Sequence, residues 1–343
     1  RGGGGRAGGG GAGGVGGVGE GGGEEGEGRG GELGHGATGA RVGRVGGGRR
    51  AGEVGLQVGG EHEALGAAAA LAVGHVRGLP ADRLPMILGT DAAGVAPDGS
   101  EVVVHAVVGA DGHGVGPAER RSLLSERYPG TLAERVAVPT HNLVPKPPEL
   151  TFVEAACVPT AWLTAYRMLF TAGGAAPGDR VLVQGAGGGV ATAAVALGAA
   201  AGLETWVTSR SAAKRAGAAR LGAAATFEPG ARLPAPVDVV VETVGQATWS
   251  HSLRSVRPGG TVVVAGATSG DASPAELTRV FFHEIRVQGV TMGSRDDLAT
   301  LLRFLARSEV RPVVDQVLPL ARARDGLARL AAGDHFGKVV LTP

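Results

Sequence analysis

VLVQGAGGGVATAAVALG, from Val181 to Gly198, is the stretch on which the reading of this chain turns. It opens with a short apolar run, passes through a cluster of glycines and ends in an alanine-rich segment. A strand, a tight turn and a helix able to pack closely on a sheet are expected in that order. This order brings backbone N–H groups and the positive end of a helix to one point, which suits a dinucleotide pyrophosphate. Aligned as Ala186-x-Gly188-x-x-Ala191, the fingerprint has alanine at its first and last glycine positions. The alternative is a glycine turn that merely packs an α/β fold.

The surroundings favour the first reading. Strand-like runs recur at Val181–Gln184, Thr205–Ser209, Val237–Glu242, Thr261–Ala265 and Ile285–Val290, with helical stretches between the first three. Short continuous valine runs suit a parallel sheet covered on both faces, so residues 151–315 are expected to form a doubly wound α/β domain of Rossmann type. Residues 316–343 add a return segment, a helix and then a closing strand. The second strand ends in Thr208-Ser209-Arg210-Ser211, with Lys214 and Arg215 one turn into the next helix. Cations and hydroxyls there suit a 2′-phosphate, whereas an NAD site would place Asp or Glu at that point, so NADP(H) is expected. A solvated helix start is the alternative reading of these cations.

Upstream, residues 79–150 read as a small all-β unit. LPMILGTDAAGV, from Leu84, and EVVVHAVVG, from Glu101, are strand-like and joined by a Pro-Asp-Gly-Ser turn. TLAERVAVPTHNLVPKP, 131–147, adds a short strand and a proline-bounded connection. From Thr151 to Ala172 the apolar spacing is helical, with a break expected at Pro159.

Residues 1–78 differ from the rest. Gly makes up about half of the first sixty, far above the roughly 7% of ordinary proteins. Three readings compete: an arginine-glycine nucleic-acid segment, a flexible tail, and GC-rich coding DNA read in the wrong frame. Only Arg1 and Arg29 begin an Arg-Gly-Gly unit, and aromatic residues for base stacking are missing, so nucleic acid is disfavoured. The third reading fits best; residues 1–75 are then disordered or non-native, and a genuine N-terminal segment is absent.

With 33 basic and 32 acidic residues, charge favours neither nucleic acid nor a membrane surface. The longest apolar run of the first hundred residues, LGAAAALAV, is well short of the roughly 20 needed to span a bilayer. One cysteine, Cys157, cannot form an internal disulfide or a multi-cysteine zinc site, which suits the cytoplasm. His105, His113, His141, His251, His283 and His335 are scattered without ligand spacing.

ILGTDAAGV, GTLAERVAVP, AACVPTAWLTAYRML, VLVQGAGGGVATAAVALG, VTSRSAAKR, VVVETVG, PGGTVVVAGATSG and FGKVVLTP, in this order, resemble the medium-chain dehydrogenase/reductase superfamily. The likeness is to its quinone-oxidoreductase-like branch, often labelled zinc-binding dehydrogenase, and covers about three quarters of the chain. It implies a GroES-like β-barrel, here truncated, followed by the Rossmann domain, with the site in the cleft between them. Carried over by motif, Thr164 and Thr160 lie near the nicotinamide, with Thr164 and Tyr166 the hydroxyl candidates for catalysis. Ala186, Gly188, Gly189 and Val190 line the pyrophosphate; Ser209, Arg210 and Lys214 hold the 2′-phosphate. Thr243 to Gly245 border the adenine, and Gly266, Ala267 and Thr268 the ribose. Met292 and Gly293 form the nicotinamide loop, and Phe336, Gly337 and Lys338 the outer wall.

Zinc-dependent relatives carry a Gly-His-Glu segment and a four-cysteine lobe. Here the segment reads Gly89-Thr90-Asp91 and one cysteine remains, so no metal is expected. The resemblance implies NADPH-dependent reduction of an electron-poor C=C or C=O of a small molecule, a quinone, enone or aldehyde. It also implies a homodimer through Ile285–Val290. The alternatives are a zinc alcohol dehydrogenase and a non-catalytic NADP-binding module.

Overall fold

The computed structural model describes residues 53–57, 85–109 and 122–343. The expectations for 1–52, 58–84 and 110–121, including His113, lie outside the described residues. One strand falls inside the segment expected to lack structure. β1 (Glu53–Gln57) pairs antiparallel along its whole length with a later strand, from Glu53 opposite Pro139 to Gln57 opposite Arg135.

β2 (Ala93–Val95) and β3 (Glu101–Val104) form a hairpin around Asp98-Gly99. The Asp98 carboxylate accepts from the Ser100 amide and hydroxyl, and Gly99 takes the left-handed φ of +86° that a side chain would resist. β4 (Val107–Val108) pairs with β5 (Ser122–Leu123). β6 (Arg135–Pro139) and β7 (Leu143–Pro145) flank a single helical turn, two strands where the sequence suggests one and a connection. The sheet order is β6-β1-β2-β3-β7, all antiparallel. Among the described residues this sheet is open; the resemblance implies a GroES-like barrel that is truncated here. Its apolar face gathers Ala92, Val102, Val104, Val136 and Val138.

The helical segment that follows is irregular. α1 (Phe152–Ala156) starts from a capping box made by Thr151 and Glu154. Pro159 cannot donate to an ordinary helical ladder, and the chain widens into a π-helical turn at Val158–Trp162 before α2 (Leu163–Tyr166) resumes. Trp162 on this segment is fully buried in the main core.

The second half builds a six-stranded parallel sheet. In chain order come β8 (Arg180–Gln184), α3 (Gly189–Ala200), β9 (Glu204–Thr208), α4 (Ala212–Arg220), β10 (Ala225–Phe227), β11 (Val237–Glu242), α5 (Trp249–Ser255), β12 (Val256–Val264), α6 (Leu277–Phe282) and β13 (Arg286–Gly289). Their spatial order is β10-β9-β8-β11-β12-β13, with every pairing parallel. Counted from β8, that is 3-2-1-4-5-6, the order of a Rossmann sheet. Connections run from β8 outward on one side and from β11 outward on the other, so a crevice opens where the order reverses. The valines of β8 and β11 are buried on both faces, as their unbroken apolar runs require.

α7 (Arg295–Arg307) buries Leu298, Leu301, Leu302 and Leu305 along one face and is capped by Ser294 and Asp297. β14 (Val314–Pro319), α8 (Ala323–Ala332) and β15 (Lys338–Thr342) close the chain, with β14 and β15 parallel. The return segment expected from 316 therefore begins inside β14.

Candidate active site at the strand-order reversal

The Val181 stretch forms the strand, turn and helix its residues dictate. Gly185 leaves β8 with φ of +87°, and Gly188 is the extended N-cap of α3. No side chain caps α3 and no acid lies in its first turn, so its leading N–H groups are left for an anion. A Cβ at Gly188 would meet nothing within 4 Å, which puts open space in front of this turn. The neighbouring glycines are there for close approach. A Cβ at Gly187 would strike the Lys214 stem at 2.6 Å, and one at Gly189 would lie 2.9 Å from Ala161 Cβ and Lys338 Cδ. Ala186 and Ala191 are buried, so the two departures from glycine fill packed positions. Val190 is half-buried beside them.

At the end of β9, the Ser211 hydroxyl caps α4 by accepting from the Lys214 amide. Arg215 donates to the Ser209 carbonyl at 2.6 Å and pairs with Glu228. Arg210 is exposed. Lys214 reaches back over Gly187 to donate to the Gly333 carbonyl. Burial pulls its ammonium below the usual lysine range, against the pull of Asp334 and Asp315. Of the three expected 2′-phosphate residues, Ser209 and Arg210 follow β9, while Lys214 lies in the first turn of α4 with its side chain against Gly187.

The loops after β11 and β12 abut. Thr268 donates through amide and hydroxyl to the Thr243 carbonyl, both at 3.3 Å, and a Cβ on Gly266 would sit 3.0 Å from that oxygen. Gly245 has φ of +88°, and its missing side chain leaves room for Ala267. The expected adenine and ribose residues are therefore one surface.

The closing segment crosses the glycine turn. Gly337 donates to the Gly187 carbonyl at 2.9 Å, and the Phe336 ring covers Gly217. Lys338, expected on an outer wall, is 4% exposed and pairs at 2.9 Å with Asp91, which is fully buried. Burial pushes the Asp91 carboxyl up, and the Lys338 charge opposes the rise. Beside them the Thr90 and Thr160 hydroxyls meet at 3.1 Å. Asp91, Thr90 and Thr160 link the antiparallel unit to the nucleotide-type domain at the base of the glycine turn.

The remaining expected residues lie on α2 and in the loop after β13. Thr164 is buried on α2. Tyr166 packs on Phe170 at 5.2 Å; burial raises its hydroxyl, and the Asp297 charge adds to the rise. The Met292 side chain is 6% exposed and sits in the core of the antiparallel unit at φ of +49°, a left-handed conformation rare for methionine. Gly293 gives its carbonyl to His105 Nε2 at 2.8 Å, and Arg295 donates to the Leu143 carbonyl. Burial lowers His105, which suits a neutral ring donating through Nε2. This loop clamps the two units together.

Cys157 is buried, donates to the Val153 carbonyl and has its thiol pushed up to about 12 by burial. It is expected to resist Ellman's reagent in the native protein and to react at once in denaturant; rapid native labelling would contradict this placement. Among the described residues no three of His, Cys, Asp and Glu converge as metal ligands. With Cys157 locked in a helix and a Lys338-paired Asp91 beside Thr90, the described residues do not fit a catalytic zinc. Sequence reasoning overlooked the buried polar ends of β8, β9 and β11, namely Gln184, Thr208 and Glu242. A polar residue closing an otherwise apolar strand was the available signal.

The family model for zinc-binding dehydrogenase matches residues 189–307. A zinc-type alcohol dehydrogenase-like protein YogA of Leptosphaeria maculans is 31% identical over 214 residues, 57% of this chain and 60% of that protein. The chain thus spans less than two thirds of that relative. The crystal structure of an NAD-dependent alcohol dehydrogenase matches with 32% identity and a TM-score of 0.74, covering 85% of this chain and 92% of that one. A 2-octenoyl-CoA carboxylase reductase, CinF, in complex with NADP and 2-octenoyl-CoA, matches with 25% identity and a TM-score of 0.69 over 75% and 68% of the two chains. With its strand order, its glycine turn and these likenesses taken together, the chain belongs to the medium-chain dehydrogenase/reductase superfamily, in the zinc-binding dehydrogenase branch.

Proposed function

We propose that the protein is an NADP(H)-linked oxidoreductase that reduces an electron-poor C=C or C=O of a small quinone, enone or aldehyde without zinc. The observation that carries this reading is the open space and uncapped helix start at Gly188–Gly189, beside Ser209 and Arg210 after β9 and Lys214 in the first turn of α4. The likeness to a reductase complexed with NADP and an enoyl thioester supports it. When bound, the dihydronicotinamide would supply the hydride. The chain's part is to hold the phosphates, to exclude water in the crevice, and to offer Thr160 and Thr90 hydroxyls as donors to an oxygen that gains charge.

The test is titration with NADPH followed by a turnover assay with quinones, enones and aldehydes. Binding without turnover would leave the non-catalytic module, and stoichiometric zinc with alcohol oxidation would favour the alcohol dehydrogenase reading that the NAD-dependent likeness suggests. Arg210→Ala is expected to cut the preference for NADPH over NADH by about tenfold or more; an unchanged ratio would remove Arg210 from the phosphate site.

The proposed assembly is a homodimer through Ile285–Val290. β13 is the free edge of the parallel sheet and all four of its residues are exposed. Phe281 and Phe282 nearby are 62% and 74% exposed. Light scattering is expected to give twice the chain mass, and Val287→Pro to give the chain mass; a monomeric wild type would sink the dimer. No described helix is long and apolar enough to cross a membrane. The proposed compartment is the cytoplasm, in keeping with one deeply buried unpaired thiol.

A further inference from the structure

Beneath the crevice, six buried polar side chains form a hydrogen-bonded network across the ends of three neighbouring strands. Glu242, at the end of β11, is fully buried. Its Oε1 accepts from the Val244 and Gly245 amides at 2.8 and 2.9 Å, and both of its oxygens accept from the Thr248 hydroxyl. The Ser252 hydroxyl donates to Oε2 at 2.5 Å. Having spent its one proton there, Ser252 must accept from Gln184 Nε2, at 3.0 Å.

That assignment fixes the Gln184 amide, whose second proton goes to His251 Nδ1 at 2.9 Å. His251 is set the same way from its other side, because its Nε2 donates to the Ala231 carbonyl. Gln184 Oε1 is then left to accept from the Thr208 hydroxyl at 2.6 Å. Thr208 in turn presents its lone pairs to the Gly185 amide, 3.4 Å away. Gly185 opens the glycine turn. Every link therefore has one permitted direction, set from Glu242 at one end and, through His251, from the Ala231 carbonyl at the other.

We propose that Glu242 is a positioning residue of the nucleotide site, orienting a one-way chain through Ser252, Gln184 and Thr208 that fixes the loops after β8, β9 and β11 relative to one another. The inference rests on the NADP(H) reading for its consequence, while the chain itself is a property of the fold. Glu242 touches no expected cofactor atom. It acts through the Gly185 amide on one side and the Val244 and Gly245 amides on the other.

The test measures NADPH affinity and kcat for Ser252→Ala, Thr208→Val and the double variant, with circular dichroism to confirm folding. Each single change is expected to weaken NADPH binding about tenfold, the double change also about tenfold rather than a hundredfold, because both cut one chain. Thr208→Ser, which keeps the hydroxyl, is expected to restore affinity. At saturating NADPH, kcat is expected to stay within about twofold, since the groups that face the substrate are untouched. Wild-type affinity in folded variants, or losses that simply add, would overturn the proposal. Should the wild type bind no NADPH, the cofactor reading fails and the chain is judged by amide hydrogen exchange. Faster exchange across Gly185–Gly189 in Thr208→Val and Ser252→Ala supports it, and unchanged exchange overturns it.

Discussion

Lys338→Met is expected to destabilise the protein by about 3–5 kcal/mol at neutral pH, the cost of leaving a buried charge without its partner. Methionine keeps the length of the stem that lies against Gly189, so the loss isolates the ammonium rather than the packing. Asp91 would remain fully buried, with Oδ1 already lacking a hydrogen-bond partner. Its response to pH has a definite sign. Burial holds the folded carboxyl above its unfolded value, so the native state keeps a proton that the unfolded chain releases. The stability from that proton is present below the unfolded value and is lost as pH rises through the folded one. Lys338 opposes this rise in the wild type, and the variant lacks that opposition. Its deficit should therefore be small near pH 4, about the unfolded Asp value, and grow toward neutrality. Denaturant unfolding at several pH values checks this. Asp91→Asn combined with Lys338→Met should recover much of the loss, whereas an equal deficit at every pH would mean that the pair is not what holds this seam.

Gly337→Ala is the second large effect, expected at about 3 kcal/mol or more. Gly337 has φ of +104°, and a Cβ there would lie 2.3 Å from the Val313 carbonyl oxygen and 2.8 Å from its carbon. Backbone cannot swing aside as a flexible side chain can. To relieve the collision, the segment between α8 and β15 must lift, which breaks the Gly337 amide bond to Gly187 and drags Lys338 from Asp91. Weaker NADPH binding is expected alongside the lower stability. Gly188→Ala is the contrast, since open space lies before it: its effect on stability should be under about 1 kcal/mol, with any loss falling on cofactor affinity. Comparable destabilisation by the two alanines would contradict the packing described at Gly337.

The parallel sheet was legible because burial on both faces demands apolar, valine-rich runs, and β8, β11 and β12 carry them. β10 was missed: Ala-Thr-Phe is too short to show a period, and it is held by its register with β9. β1 was hidden in glycine-rich composition and owes its strand state to pairing with β6. The glycine turn was legible since strand, turn and helix are consecutive. The Asp91–Lys338 pair was not, as its partners stand 247 positions apart and neither has a local signature. For Met292 the motif implies a nicotinamide loop, whereas the burial of its side chain in the antiparallel unit and its left-handed backbone come from tertiary packing, which no local pattern announces. The contact of Tyr166 with Phe170 is likewise a matter of packing that no motif announces.

The most direct measurement is the fate of the transferred hydrogen. NADPH deuterated at C4 would be incubated with the chelator-treated chain and a cyclic enone, and the product examined by NMR. The account predicts deuterium on the β-carbon, at a rate unaffected by removal of zinc and much reduced with NADH. Absence of deuterium transfer to any quinone, enone or aldehyde, or transfer that requires added zinc, would contradict it.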